Sequence, residues 1–165
     1  MLLRCIQEGG FFRLGAYVVY EGLKDSYKPW PSFLVDTGSL DTYLTTLRST
    51  IVNGISIPLK GLPSFDTEVE RTGFIEQYPT DEGKIEWEGQ PFERRQAKSA
   101  KLTFLSETGM PAAEITLPQI YLAPLPNNVL GLDVIKPLGA FHLLSTEAYF
   151  ELDESLLLKN PRFKY

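Results

Sequence analysis

A carboxylate stands where an apolar strand ends. Phe33, Leu34 and Val35 run directly into Asp36-Thr37-Gly38-Ser39. A run of this kind reads as a buried strand, and a rigid strand is a good mount for a group that gives or takes a proton. The plain reading is that Asp36 starts a turn, with Gly38 supplying the backbone freedom that follows. The chemical reading is that Asp36 is held there for general acid–base work, with Gly38 letting backbone approach the carboxylate without a Cβ. The tripeptide alone favours the turn; its surroundings change the balance.

The other reactive side chains offer less. Cys5 is the only cysteine and His142 the only histidine, and they are far apart in sequence. Cys5 therefore reads as a small apolar residue rather than a nucleophile. His142 falls in an apparent strand and has no set of metal-binding partners around it. The acids between Asp66 and Glu93 are too scattered for a calcium loop and read as a solvated face. There is no Gly-x-Ser-x-Gly elbow, no phosphate-binding Gly-Lys loop and no dinucleotide fingerprint. No cofactor and no metal is expected.

The elements that must position Asp36 are mostly strands. Residues 11–22 are rich in aromatic and β-branched side chains and read as one or two strands around Gly15. A loop is expected over 24–31, where Pro29 and Pro31 remove ladder donors. The strand carrying Asp36 follows, then an ambiguous stretch at 42–50. An Asn53-Gly54 turn leads into a short strand. Residues 66–98 are polar, with Gly73, Gly83 and Gly89 as bends, and alternation over 68–78 and 83–89 predicts two exposed strands in a projecting arm. Strands return at 101–123 around a Gly109 turn. The segment 129–139 predicts a short helix ended by Pro137 and Gly139, and 140–154 predicts a strand, a turn and a strand. The expected fold class is all-β with one short helix in the C-terminal half.

Bulk properties set the frame. With 165 residues the expectation is a single domain over 1–165 with a real core. Apolar residues make up 43% and charged residues 22%, an ordinary globular balance. The net charge of −5 gives no reason to bind nucleic acid. The basic groups Arg94-Arg95 and 159–165 read as solvated surface. One cysteine forbids an intrachain disulfide, and no apolar run suits a signal peptide or a membrane span. A cytoplasmic protein with no membrane partner is expected.

Two motifs together resemble the retropepsin-like aspartic proteases, the retroviral-type, single-lobe family. There an apolar strand ends in Asp-Thr-Gly followed by Ser or Ala. Much later come two apolar residues, Gly, any residue and often Asp, opening a helix. Here these are FLVDTGS at 33–39 and VLGLDVI at 129–135. The order around them fits over most of the chain: a β pair before, an arm at 66–98 where the family carries its flap, then strands, helix and a final β pair.

The resemblance implies an acid-protease barrel with a flap hairpin, and Asp36 as the catalytic carboxylate. It implies that Thr37, Gly38 and Ser39 support the site, with Thr37 bracing a partner strand and Ser39 bonding the carboxylate or lining the cleft. Gly73 or Gly83 is left as flap tip, Gly73 being the candidate substrate contact. Val129 and Leu130 would back the Asp strand, Gly131 would permit close contact, and Asp133 would serve as a helix-end hydrogen-bond residue. Some viral members carry Arg straight after that glycine, paired with an Asp just past the catalytic motif. Here the position is Leu132, and Asp41 sits late.

Two carboxylates held close share one proton, and such a pair can activate water. This chain holds one such Asp, so a two-fold homodimer with Asp36 from each subunit is expected, acting on a peptide or protein substrate. The alternative is a non-catalytic dimerisation or peptide-binding module on the same fold. The phosphate loop of sugar kinases also carries Asp-x-Gly-Ser, but that fold needs two large α/β domains.

Overall fold

The computed structural model describes residues 1–20, 32–97 and 99–158. The loop expected at 24–31 and the basic tail 159–165 lie outside the described residues. The fold is all-β. In chain order the first strands are β1 (Leu2–Arg4), β2 (Ile6–Glu8), β3 (Phe11–Tyr20), β4 (Ser32–Val35) and β5 (Tyr43–Thr45). Then come β6 (Ser49–Val52), β7 (Ile55–Pro58), the helix α1 (Glu68–Glu76), β8 (Thr80–Trp87) and β9 (Gln90–Ala97). The remainder is β10 (Ala100–Leu105), β11 (Pro111–Leu117), β12 (Ile120–Ala123), β13 (Asn128–Leu130), the helix α2 (Leu132–Leu138), β14 (Gly139–Leu143) and β15 (Ala148–Leu152). No helix among the described residues is long and apolar enough to cross a membrane.

The large sheet has the order β11-β10-β3-β4-β13-β5-β12-β9-β8, with β2 paired to β3. A smaller sheet, β1-β15-β14, brings the two ends of the described chain together. β3 runs unbroken through Gly15 but changes partner there: Arg13 to Gly15 pair with β4, and Ala16 to Tyr20 pair with β10. The centre of the sheet is buried. Phe33, Leu44, Leu102, Phe104, Ile120, Leu122 and Leu130 are at most 1% exposed, and burying side chains of this size stabilises by about 1.5–3 kcal/mol each. Asn128 is a buried polar residue within this core, and its amide is fully used. Its Oδ1 accepts from Thr45 N at 2.9 Å, and its Nδ2 donates to the Ser32 and Lys60 carbonyls.

The region 66–98 departs from expectation. Residues 68–76 form α1, not a strand. Thr67-Glu68-Val69-Glu70 has the spelling of a capping box, and the Thr67 hydroxyl accepts from the Glu70 N–H. Phe74 is buried and packs on Phe65 and on Tyr78. The hairpin is β8–β9 instead, turned by Glu88-Gly89, where both residues have positive φ (51° and 79°), the type I′ geometry that suits strand twist. Gly73 lies inside α1 and Gly83 inside β8, so neither is a hairpin tip; the alternating acids that suggested a strand are the exposed face of the helix. The expected single helix is α2, which stops at Gly139 but carries Pro137 inside its last turn rather than at its end, and α1 is a second.

Candidate active site

Asp36 stands at the mouth of β4. Its strand is held by β3 on one side and by parallel β13 on the other, with Leu34 opposite Val129 and Val35 opposite Leu130. The Asp36 N–H donates to the Leu130 carbonyl at 3.0 Å, so the ladder continues to the carboxylate residue itself. Parallel neighbours must be joined by a long crossover, and the whole of 37–127 lies between these two. Val129 and Leu130, 1% and 0% exposed, back the strand from inside the sheet.

The turn after Asp36 is ordered by its own polar groups. The Gly38 N–H donates to Asp36 Oδ1 at 2.8 Å, and the Ser39 N–H donates to the Asp36 carbonyl at 3.2 Å. A Cβ at Gly38 would lie 3.1 Å from Asp36 Oδ1, tight enough to disturb the carboxylate. Ser39 points elsewhere: its hydroxyl donates to the Asp41 carbonyl at 2.7 Å, not to the carboxylate. Asp36 is half-buried, while Thr37 and Gly38 are exposed.

This turn is stitched to the Gly131 segment. The Leu132 N–H donates to the Ser39 carbonyl and the Asp133 N–H to the Leu40 carbonyl. A Cβ at Gly131 would collide with the Asp41 backbone, so glycine there allows the two segments to touch. Asp133 accepts from Thr42 twice, from its hydroxyl at 2.6 Å and its N–H at 3.1 Å. The same Thr42 hydroxyl accepts from the Gly131 N–H. Burial raises the Asp133 carboxyl above its ordinary value, and the Thr42 hydrogen bonds oppose that rise.

Arg94 corrects a sequence expectation. The sequence places it on a solvated surface, yet its side chain is 14% exposed. Its guanidinium lies 2.9 Å from Asp41 Oδ2 and 3.0 Å from Asp81 Oδ2, donates to the Tyr43 hydroxyl at 2.7 Å, and stacks 3.9 Å above the Tyr121 ring. Burial pulls its pKa down, but the hydrogen bonds with Tyr43 and Asp41 outweigh that, and the net shift is upward. Asp41 therefore does find an arginine, supplied by β9 rather than by position 132. No local pattern marks Arg94, because an arginine on an alternating strand is ordinarily a surface residue; only the pairing of β9 with β12 reveals it.

No family model matches the chain, and no curated protein matches it. Among solved structures the chain is similar to the crystal structure of a retropepsin-like aspartic protease from Rickettsia conorii. The identity is 12% over 91% of this chain and 88% of that one, with a TM-score of 0.47.

The other reactive or flexible residues singled out in the sequence have different settings. The Cys5 thiol is pushed up to about 12 by burial, which makes it a poor nucleophile. His142 stacks on Tyr149 with ring centroids 4.7 Å apart. Gly73 sits in α1 with nothing within 4 Å of where a Cβ would stand.

Proposed function

We propose that the chain is an aspartic endopeptidase that works as a homodimer, with Asp36 of each subunit facing the other across a two-fold axis. The observation that carries this reading is the setting of Asp36. A single carboxylate ends a buried strand, is locked to a parallel neighbour and to the Gly131 segment, and sits beside an exposed Thr37-Gly38 edge. A turn-forming aspartate does not need that support.

The chemistry follows from two such groups sharing one proton. The ionised carboxylate takes a proton from a water held between the pair. The water oxygen attacks the scissile carbonyl carbon while the protonated partner donates a hydrogen bond to the carbonyl oxygen. Collapse of the tetrahedral intermediate breaks the C–N bond, and the amine leaves with a proton from the pair. The Gly38 N–H keeps Asp36 Oδ1 oriented throughout. β8–β9 serves as the covering hairpin, with Glu88-Gly89 at its tip, and Arg94 ties its base to the site.

The test is cleavage of an unfolded protein from about pH 3.5 to 7.5, a span that covers titration of a shared-proton pair. Wild type is compared with Asp36→Asn at matched dimer content. The expected result is cleavage by wild type and a loss of about 10²-fold or more in the variant, the scale of a general acid–base contribution. Equal cleavage by both would overturn the reading. Peptide binding by both, with cleavage by neither, would establish a binding module instead.

A further inference from the structure

Among the described residues, Arg71 has no counter-ion. It lies on α1 with 8% of its surface exposed. Its Nη2 donates to the Thr46 carbonyl, and among the described residues no carboxylate pairs with it. Burial, then the nearby Arg48 charge, pull its pKa below the usual arginine value. An arginine nevertheless stays protonated in a protein. No nitrogen of Arg71 is among the buried atoms left without a partner, so the part of the guanidinium not bonded to Thr46 faces the pocket, where it can meet an anion.

The surroundings describe that something. Arg71 lines a pocket of about 300 Å³ together with Arg48, Lys60, Ser64, Leu62 and Phe65. Glu68 pairs with Arg48 at the exposed rim, which offsets one rim charge and leaves Arg71 and Lys60. The volume is at the lower end for ligand pockets and suits a small molecule, not a polymer. The pocket is lined by Leu47 and Arg48, just past the end of β5, whereas the Asp36 turn leads to its start at Tyr43. The two therefore lie at opposite ends of β5 and share no residue, so the pocket is distinct from the acid site.

We propose that this pocket is an oxyanion site, in which Arg71 takes the carboxylate or phosphate group of a small organic anion. A guanidinium suits either group because its planar donors bind two oxygens at once. Lys60 adds long-range attraction at the mouth, the Ser64 hydroxyl adds a hydrogen bond, and Leu62 and Phe65 accept the apolar part of the ligand.

The experiment is thermal unfolding at constant ionic strength, with chloride replaced either by inorganic phosphate or by isovalerate. The wild-type midpoint is expected to rise by about 4 °C at an anion concentration tenfold above Kd. A larger rise with phosphate identifies a phosphate ligand; a larger rise with isovalerate identifies an apolar carboxylate. Arg71→Met should lose the anion-dependent rise whatever its own midpoint. Lys60→Gln, on the surface, should fold as wild type and bind several-fold more weakly. Should Arg71→Met not fold, amide chemical shifts of wild type titrated with each anion replace it, with changes expected at Ser64, Phe65 and Arg71. No rise with either anion, the same rise in wild type and Arg71→Met, or shifts scattered over every basic surface group would overturn the proposal.

Discussion

Gly38 and Thr42 act as partners to the two carboxylates on either side of the motif, and the difference between them is instructive. Asp36 accepts a single backbone N–H at an exposed turn, which leaves lone pairs free for a second carboxyl or a water. Asp133 is half-buried as well, but its oxygens are taken by Thr42. This makes Asp133 a positioning residue with a measurable titration. Its pKa lies above the ordinary 3.8, so the folded state binds the proton more tightly than the unfolded chain. The stability it adds is fully present below that value and is lost as pH rises through the raised folded value. Urea unfolding of wild type and Asp133→Asn should show this directly. The stability difference should favour wild type most at low pH and decline as the pH climbs from 3.8. A difference that grows with pH would reverse the sign assigned to burial.

At the scale of elements, α1 and the β8–β9 hairpin make up the stretch from Glu68 to Ala97. Gly73 is a helix-interior glycine with open space at its Cβ position. Gly73→Ala should therefore stabilise the protein by about 0.5–1 kcal/mol, read as a higher urea midpoint. A loss of stability would return Gly73 to a turn. The hairpin depends on Arg94, which joins Asp81 on β8, Asp41 beside the site and Tyr43 on β5. Arg94→Met leaves two half-buried carboxylates facing an apolar stem and should cost about 2–3 kcal/mol. Arg94→Lys should recover only part of that, because one ammonium cannot reach three partners and a ring face at once. Full recovery by lysine would reduce the contact to simple charge.

At the scale of the whole molecule, the proposed activity belongs to a pair of chains. Wild type and Asp36→Asn, mixed in equal amounts and allowed to exchange subunits, should give wild-type, hybrid and variant dimers in a statistical ratio. If both carboxylates are required, the mixture keeps about one quarter of the activity of the same total amount of wild type. About one half would mean that each chain acts alone, and the two-copy site would fail. Dilution supplies the matching check, since specific activity should fall as dimers separate.

The strand that ends at Asp36, the Asn53-Gly54 and Gly109 turns, the β14–β15 pair and α2 were all legible in the sequence. Each is written in a few neighbouring residues: an apolar run, a turn pair, a helix between two glycines. The capping box at Thr67 was also written there, but alternating acids hid it behind a strand pattern. What no local pattern contains is which distant segments meet. The parallel pairing of β4 with β13, the contact of Gly131 with Asp41, the reach of Arg94 to the site and the solitary burial of Arg71 each join residues tens of positions apart. Their energies come from packing and desolvation in the closed structure, quantities that exist only once the chain has folded.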